Sequence, residues 1–181
     1  MRDNLNQRPR IQAQRTPADF LGEFVAATGM LSGVLMLVVL WGDIPEQIPR
    51  HFGISGEPTA WDGRWSAVAP LVIAGALYIG LTLINRIPHF FNFPWPITAE
   101  NAAIQYRLAM SMITWLKAVI VWMFVLIVWS QIRVGTGDAD GINPFIIVGF
   151  LVGIHVVLGI FLYRAYRYRD GDTSTDPSHT I

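Results

Sequence analysis

The sequence predicts an all-α polytopic membrane protein, a bundle of four transmembrane helices with both termini on the cytoplasmic side. Three observations carry that prediction. Of 181 residues, 52% are apolar and 14% charged, against roughly 25% charged in an ordinary soluble domain. Four apolar runs, Phe24 to Trp41, Ala67 to Ile84, Ala118 to Trp129 with a mixed approach from Leu108, and Phe145 to Tyr163, come close to the roughly 20 residues that cross a hydrocarbon core about 30 Å thick. The basic residues are also unevenly spread. Arg2, Arg8, Arg10, Arg15, Arg86, Arg107, Lys117, Arg164, Arg167 and Arg169 fall on one side of such a bundle, and only Arg50, Arg64 and Arg133 on the other. Short loops rich in Lys and Arg stay cytoplasmic, which orients the chain. Net charge is zero and there is no cysteine, so no disulfide braces the loops and no thiolate ligates a metal. Nothing in the charge balance points to nucleic acid.

The elements follow in order. Residues 1–18 form a basic cytoplasmic tail, 19–169 a membrane domain with spans near 22–41, 66–85, 110–132 and 144–164, and 170–181 a second cytoplasmic tail. Both tails are polar and lack periodicity, so they read as mobile. The first span should be retained rather than cleaved as a signal peptide, because it ends in Trp41-Gly42-Asp43 and not in a small-residue cleavage site. An outer loop covers 42–65, a cytoplasmic loop 86–98 and an outer turn 135–142. Thr98 with Glu100 is expected to cap the third helix, and Asn143-Pro144 the fourth. Gly29 with Gly33, Ala76 with Gly80, and Gly149 with Gly153 are small-xxx-small pairs that permit close helix approach, although small residues are common in such helices in any case.

The connection from Trp41 to Trp65 contains three prolines, four glycines and a single histidine. That is more than a plain linker needs, and the segment should hold a defined shape. His51 with Glu46, Glu57 and Asp62 offers ligand types for a divalent metal, but the spacing is unspecific and a histidine bonded to turn backbone is the simpler reading. Inside the spans, Glu23, Lys117 and His155 are the titratable groups. Lys117 is expected to snorkel to the headgroups; the sharper reading pairs it with Glu23. His155, at similar depth, invites a small polar cluster with Thr28, Ser32, Tyr78, Thr82, Ser111 and Thr114. As a haem or pigment ligand it has no second histidine at matching depth, since His51, His89 and His179 lie in loops or tails, so interhelical hydrogen bonding is preferred. Asp138-Ala139-Asp140-Gly141 resembles the start of a calcium loop without its later ligands. No catalytic triad, zinc helix or phosphate loop is present, so neither an enzyme nor a cofactor is expected.

The ordered series Pro45-x-x-Ile48-Pro49-x-His51-Phe52, Gly56-x-Pro58, Trp61, Arg64 and Pro70 resembles the signature loop of the integral membrane family that includes the Sdp-type toxin-immunity proteins. The resemblance continues through Asn92-Phe93-Pro94-Trp95-Pro96-Ile97-Thr98, Asn101, Tyr106-Arg107 and Trp115-Leu116-Lys117. It implies a non-enzymatic protein of the bacterial inner membrane whose outer loop intercepts an extracellular peptide and relays that to the cytoplasm. Thr59 stands where such proteins usually carry aspartate, and Arg64 where they usually carry lysine, which weakens a histidine-plus-aspartate metal site here. The expected partners are membrane lipid and either an extracellular peptide or other membrane proteins. The alternative function is an accessory subunit of a larger membrane complex, pigment- or haem-associated through His155.

Overall fold

The computed structural model describes residues 8–11 and 13–171; most of the two predicted tails, 1–7 and 172–181, lies outside them. The protein is mostly helical, with four helices long and apolar enough to cross a membrane: α1 (Pro17–Leu40), α2 (Val68–Ile84), α3 (Ala102–Gly135) and α4 (Pro144–Arg167). The strands, β1 (Gln47–Phe52) and β2 (Pro58–Gly63), form one small hairpin between α1 and α2. Short 3₁₀ turns at Arg64–Ala67 and Pro88–Phe90 complete the described elements.

The helix ends follow local chemistry. Thr16 caps α1 in a capping box with Asp19, and Pro17 occupies the first helical position, where its missing N–H costs nothing. Asn143 caps α4 by accepting from Phe145 N at 3.0 Å. The start of α3 differs from expectation. Its cap position is Asn101, not Thr98. The Asn101 side chain accepts from Thr98 N at 2.9 Å and donates to the carbonyls of Pro96 and Arg169, so it clamps the α3 approach to the chain following α4. The Thr98 hydroxyl instead bonds the Glu100 carboxylate and, with the Glu100 backbone N–H, holds it below the ordinary glutamate range.

α3 is the central post. At 34 residues it is about 50 Å long, and α1, α2 and α4 all pack on it. The closest packing is with α1. A methyl group added at Gly22 would come within 2.9 Å of Thr114, at Gly29 within 2.9 Å of Val121, and at Gly33 within 2.7 Å of Leu71 on α2. Of the predicted small-residue pairs, Gly29 with Gly33 is therefore a real close approach, whereas Gly80 and Gly149 have no neighbour within 4 Å. A stripe of small residues acts only on the face that meets another helix. α4 buries none of its residues. An apolar cluster of Ile44, Ile48, Ala67, Leu71, Val125, Val128 and Ile132 fills the hairpin end of the bundle, and Ile97, Ala102 and Tyr106 form a smaller one at the other.

Candidate functional site

Two constructions draw on the residues singled out by the sequence. The first is the hairpin. Its strands pair antiparallel, Ile48 opposite Asp62, Pro49 opposite Trp61 and His51 opposite Ala60, with the register broken between Pro49 and His51. Pro49 has no N–H for the ladder, and proline in a sheet belongs at such irregularities. Two consecutive residues before the break, Ile48 and Pro49, are buried, while Arg50 and His51 are exposed. Ile48 is fully buried against the position of Gly135, where a Cβ would stand 2.7 Å from it. The Pro49 carbonyl accepts from Gln131 Nε2 at 2.9 Å. At the tip, Gly56 has φ +92° and its carbonyl accepts from Ile142 N at 2.8 Å.

The loop signature thus divides by role. Ile48, Pro49 and Gly56 fasten the hairpin to α3 and to the 135–142 turn. Pro45, Phe52, Pro58 and Arg64 are half-buried around it. His51 and Trp61 are exposed, Trp61 at 52%, beside an exposed Arg50–Asp62 pair at 3.6 Å. Thr59 is exposed too, so the departure there alters the presented surface and not the anchors. His51, Glu46, Glu57 and Asp62 are not gathered into a metal-binding group; among the described residues no such group of three or more occurs. Asp62 is engaged with Arg50, and the Ser55 hydroxyl and the Glu57 backbone N–H hold the Glu57 carboxyl below the usual range.

The second construction lies inside the helices, towards the end where α1 begins. Lys117 does not snorkel. It is 1% exposed, and its Nζ lies 2.7 Å from both Glu23 oxygens and 2.8 Å from Thr82 Oγ1, with the Tyr78 ring centroid at 4.6 Å. The stem cannot reach headgroups because α1 and α2 close over it, and a cation so enclosed needs a countercharge and donors satisfied. Asp19, also buried, accepts from Thr16 N at 2.6 Å and from the hydroxyls of Thr16 and Ser111. Asn85 donates to Met110 O and Thr114 Oγ1, both at 3.1 Å. These groups make a polar spine through α1, α2 and α3. The Thr28 hydroxyl bonds back to Phe24 O within its own helix.

Asp19 and Asn85 were absent from the sequence reading, yet a signal existed: Asp19 stands four residues before Glu23, and Asn85 three after Thr82, each on the same helix face. His155 does not join the spine. It is exposed on α4, with Nδ1 2.7 Å from Leu151 O of the same helix. The reason is angular. α3 turns Thr114, Lys117 and Val121 toward α1 and α2, while Val119 meets Gly153 of α4, so equal depth did not mean the same side.

Residues 29–75 match a domain of unknown function, DUF1648. The match runs from the middle of α1 through the whole hairpin into α2, and so contains Ile48, Pro49, Gly56, His51 and Trp61 but neither member of the Glu23–Lys117 pair. Over 65 residues the chain is 34% identical to an uncharacterized protein of Archaeoglobus fulgidus, an alignment covering 32% of this chain and 36% of that protein. The chain thus spans about a third of the length of the curated relative it matches. No solved structure matches. A helical protein of membrane character carrying a DUF1648 segment is what these comparisons and the fold share.

Proposed function

We propose that this chain is a non-enzymatic recognition protein of the bacterial inner membrane, with both termini in the cytoplasm, that meets an extracellular peptide through its hairpin in the manner of the Sdp-type immunity and signalling proteins. One observation carries the reading: Arg50, His51 and Trp61 are held in the open on a strand pair fastened at three points by buried groups. A surface ordered before contact loses little entropy on binding, and an exposed tryptophan beside charged groups suits an amphipathic peptide. The basic residues supply the orientation. α3 supplies a route inward, because the helix that holds the hairpin at Gln131 and Gly135 also carries Lys117.

Cells expressing the chain, challenged with a membrane-active extracellular peptide toxin, test the reading. His51→Ala with Trp61→Ala should weaken peptide affinity by about thirtyfold, the effect of losing a pair of interface anchors, and abolish protection at normal membrane abundance. Unchanged survival removes the hairpin from the mechanism.

A second reading rests on α4. Because that helix buries none of its residues here, and an apolar groove of about 440 Å³ runs between it, α1 and α3, the chain suits an accessory subunit of a larger membrane assembly, with His155 facing the partner or a pigment. The absorption spectrum and native mass of gently purified protein decide. A colourless monomer or homodimer counts against it.

A further inference from the structure

The end of the bundle where α1 begins carries a pocket of about 390 Å³ lined by Arg10, Arg15, Asn85, Arg86, Pro88 and His89. No carboxylate lines it. The pocket is built by a strap: Arg8 donates to His89 O at 3.1 Å and also to Phe91 O, its guanidinium lies over the Phe93 ring, and the Tyr106 hydroxyl donates to Pro9 O at 3.1 Å. Residues 8 and 9 are thereby tied across the α2–α3 connection, which brings Arg10 to Arg86 and His89. Far from being a loose tail, this part of the chain is fastened down. Among the described residues neither Arg10 nor Arg86 has an ion-pair partner, and Arg15 reaches only Glu23, at 4.0 Å, which is already engaged with Lys117. Collected like charges repel, so the arrangement is stable in proportion to the anion it receives.

We infer that this pocket binds the headgroup of an anionic glycerophospholipid, with the phosphate set among Arg10, Arg15 and Arg86. Its level agrees. Pro17 opens α1 and Ile84 closes α2, so the pocket sits just beyond the apolar spans, at the depth of headgroups, where basic pockets between helices take lipid phosphates. Arginine's planar fork suits phosphate oxygens. Asn85 adds a second feature. This pocket-lining residue is 1% exposed and its Oδ1 has no hydrogen-bond partner, an acceptor that a lipid phosphodiester, having no proton, cannot satisfy and that a hydroxyl-bearing headgroup such as glycerol can.

The test titrates full-length protein in mild detergent with phosphatidylglycerol, phosphatidylcholine or inorganic phosphate, reading the melting temperature and the lipid adducts retained in native mass spectra. Phosphatidylglycerol should raise the melting temperature and leave an adduct; the other two should do little. Arg10→Gln with Arg86→Gln should weaken the apparent affinity about tenfold or more. Arg107→Gln with Arg164→Gln, which removes the same charge from exposed positions at the same end, should not. Equal affinity of the two double variants overturns the site. Inorganic phosphate that saturates the pocket and blocks phosphatidylglycerol overturns the lipid assignment in favour of soluble phosphate. Arg86→Gln alone, an exposed loop change, repeats the comparison with a smaller expected loss if the double variant melts early without lipid.

Discussion

Lys117→Met is expected to destabilise the protein by about 3 kcal/mol, because it leaves the largely buried Glu23 carboxylate without its close countercharge. The wild-type cation satisfies both carboxylate oxygens and Thr82 at once, from a site 1% exposed. Arg15, at 4.0 Å, is too distant and too exposed to replace it. Removing both charges together should behave differently. Glu23→Gln with Lys117→Met leaves a neutral amide in place of the carboxylate, and apolar replacement of a buried pair is often neutral or better. The double variant is therefore expected to recover most of the loss in a thermal melt of the detergent-solubilised protein. A single variant as stable as wild type would mean that the pair contributes nothing to the fold. A double variant no better than the single would mean that the lysine stem, and not its charge, is what the bundle needs.

The second large effect is expected at the hairpin tip. Gly56→Ala should detach the tip from the 135–142 turn at a local cost of roughly 2 to 4 kcal/mol, the sum of left-handed strain and a lost hydrogen bond. Gly56 has φ +92°, and an added Cβ would stand 2.1 Å from Ile142 O, so the Ile142 N to Gly56 O bond cannot survive in place. Faster hydrogen exchange at the Ile142 amide and easier proteolysis near Ile54, while the helices remain protected, are the expected signs. Gly137→Ala provides the comparison: its φ is +79° but nothing lies within 4 Å, so it carries strain alone and should cost about 1 to 2 kcal/mol. Equal effects at the two glycines would show that the contact with Ile142 adds nothing.

Much of the fold was legible because the bilayer reduces the problem to a few one-dimensional measurements. Apolar run length and Asn143-Pro144 need no knowledge of neighbours. The Thr98 cap failed for the opposite reason: α3 begins after Asn101, whose side chain is engaged with Thr98 N, Pro96 O and Arg169 O, the last 68 residues away, and no local rule sees that carbonyl. The site divided in the same way. His51 and Trp61 stood out by composition, yet which loop residues anchor and which are presented depends on Gln131, Gly135 and Ile142. Lys117 and His155 looked alike in depth, and only the azimuth of α3 sends one to Glu23 and leaves the other outside.

Four apolar helices, a structured loop and charges inside the spans are written in the order of residues alone, because each follows from transfer free energy and backbone chemistry counted along the chain. Which groups become partners is a matter of packing. Pairing of Lys117 with Glu23, fastening of the hairpin and gathering of Arg10 with Arg86 all depend on which helix faces meet, and that is set by close packing of side chains far apart in sequence.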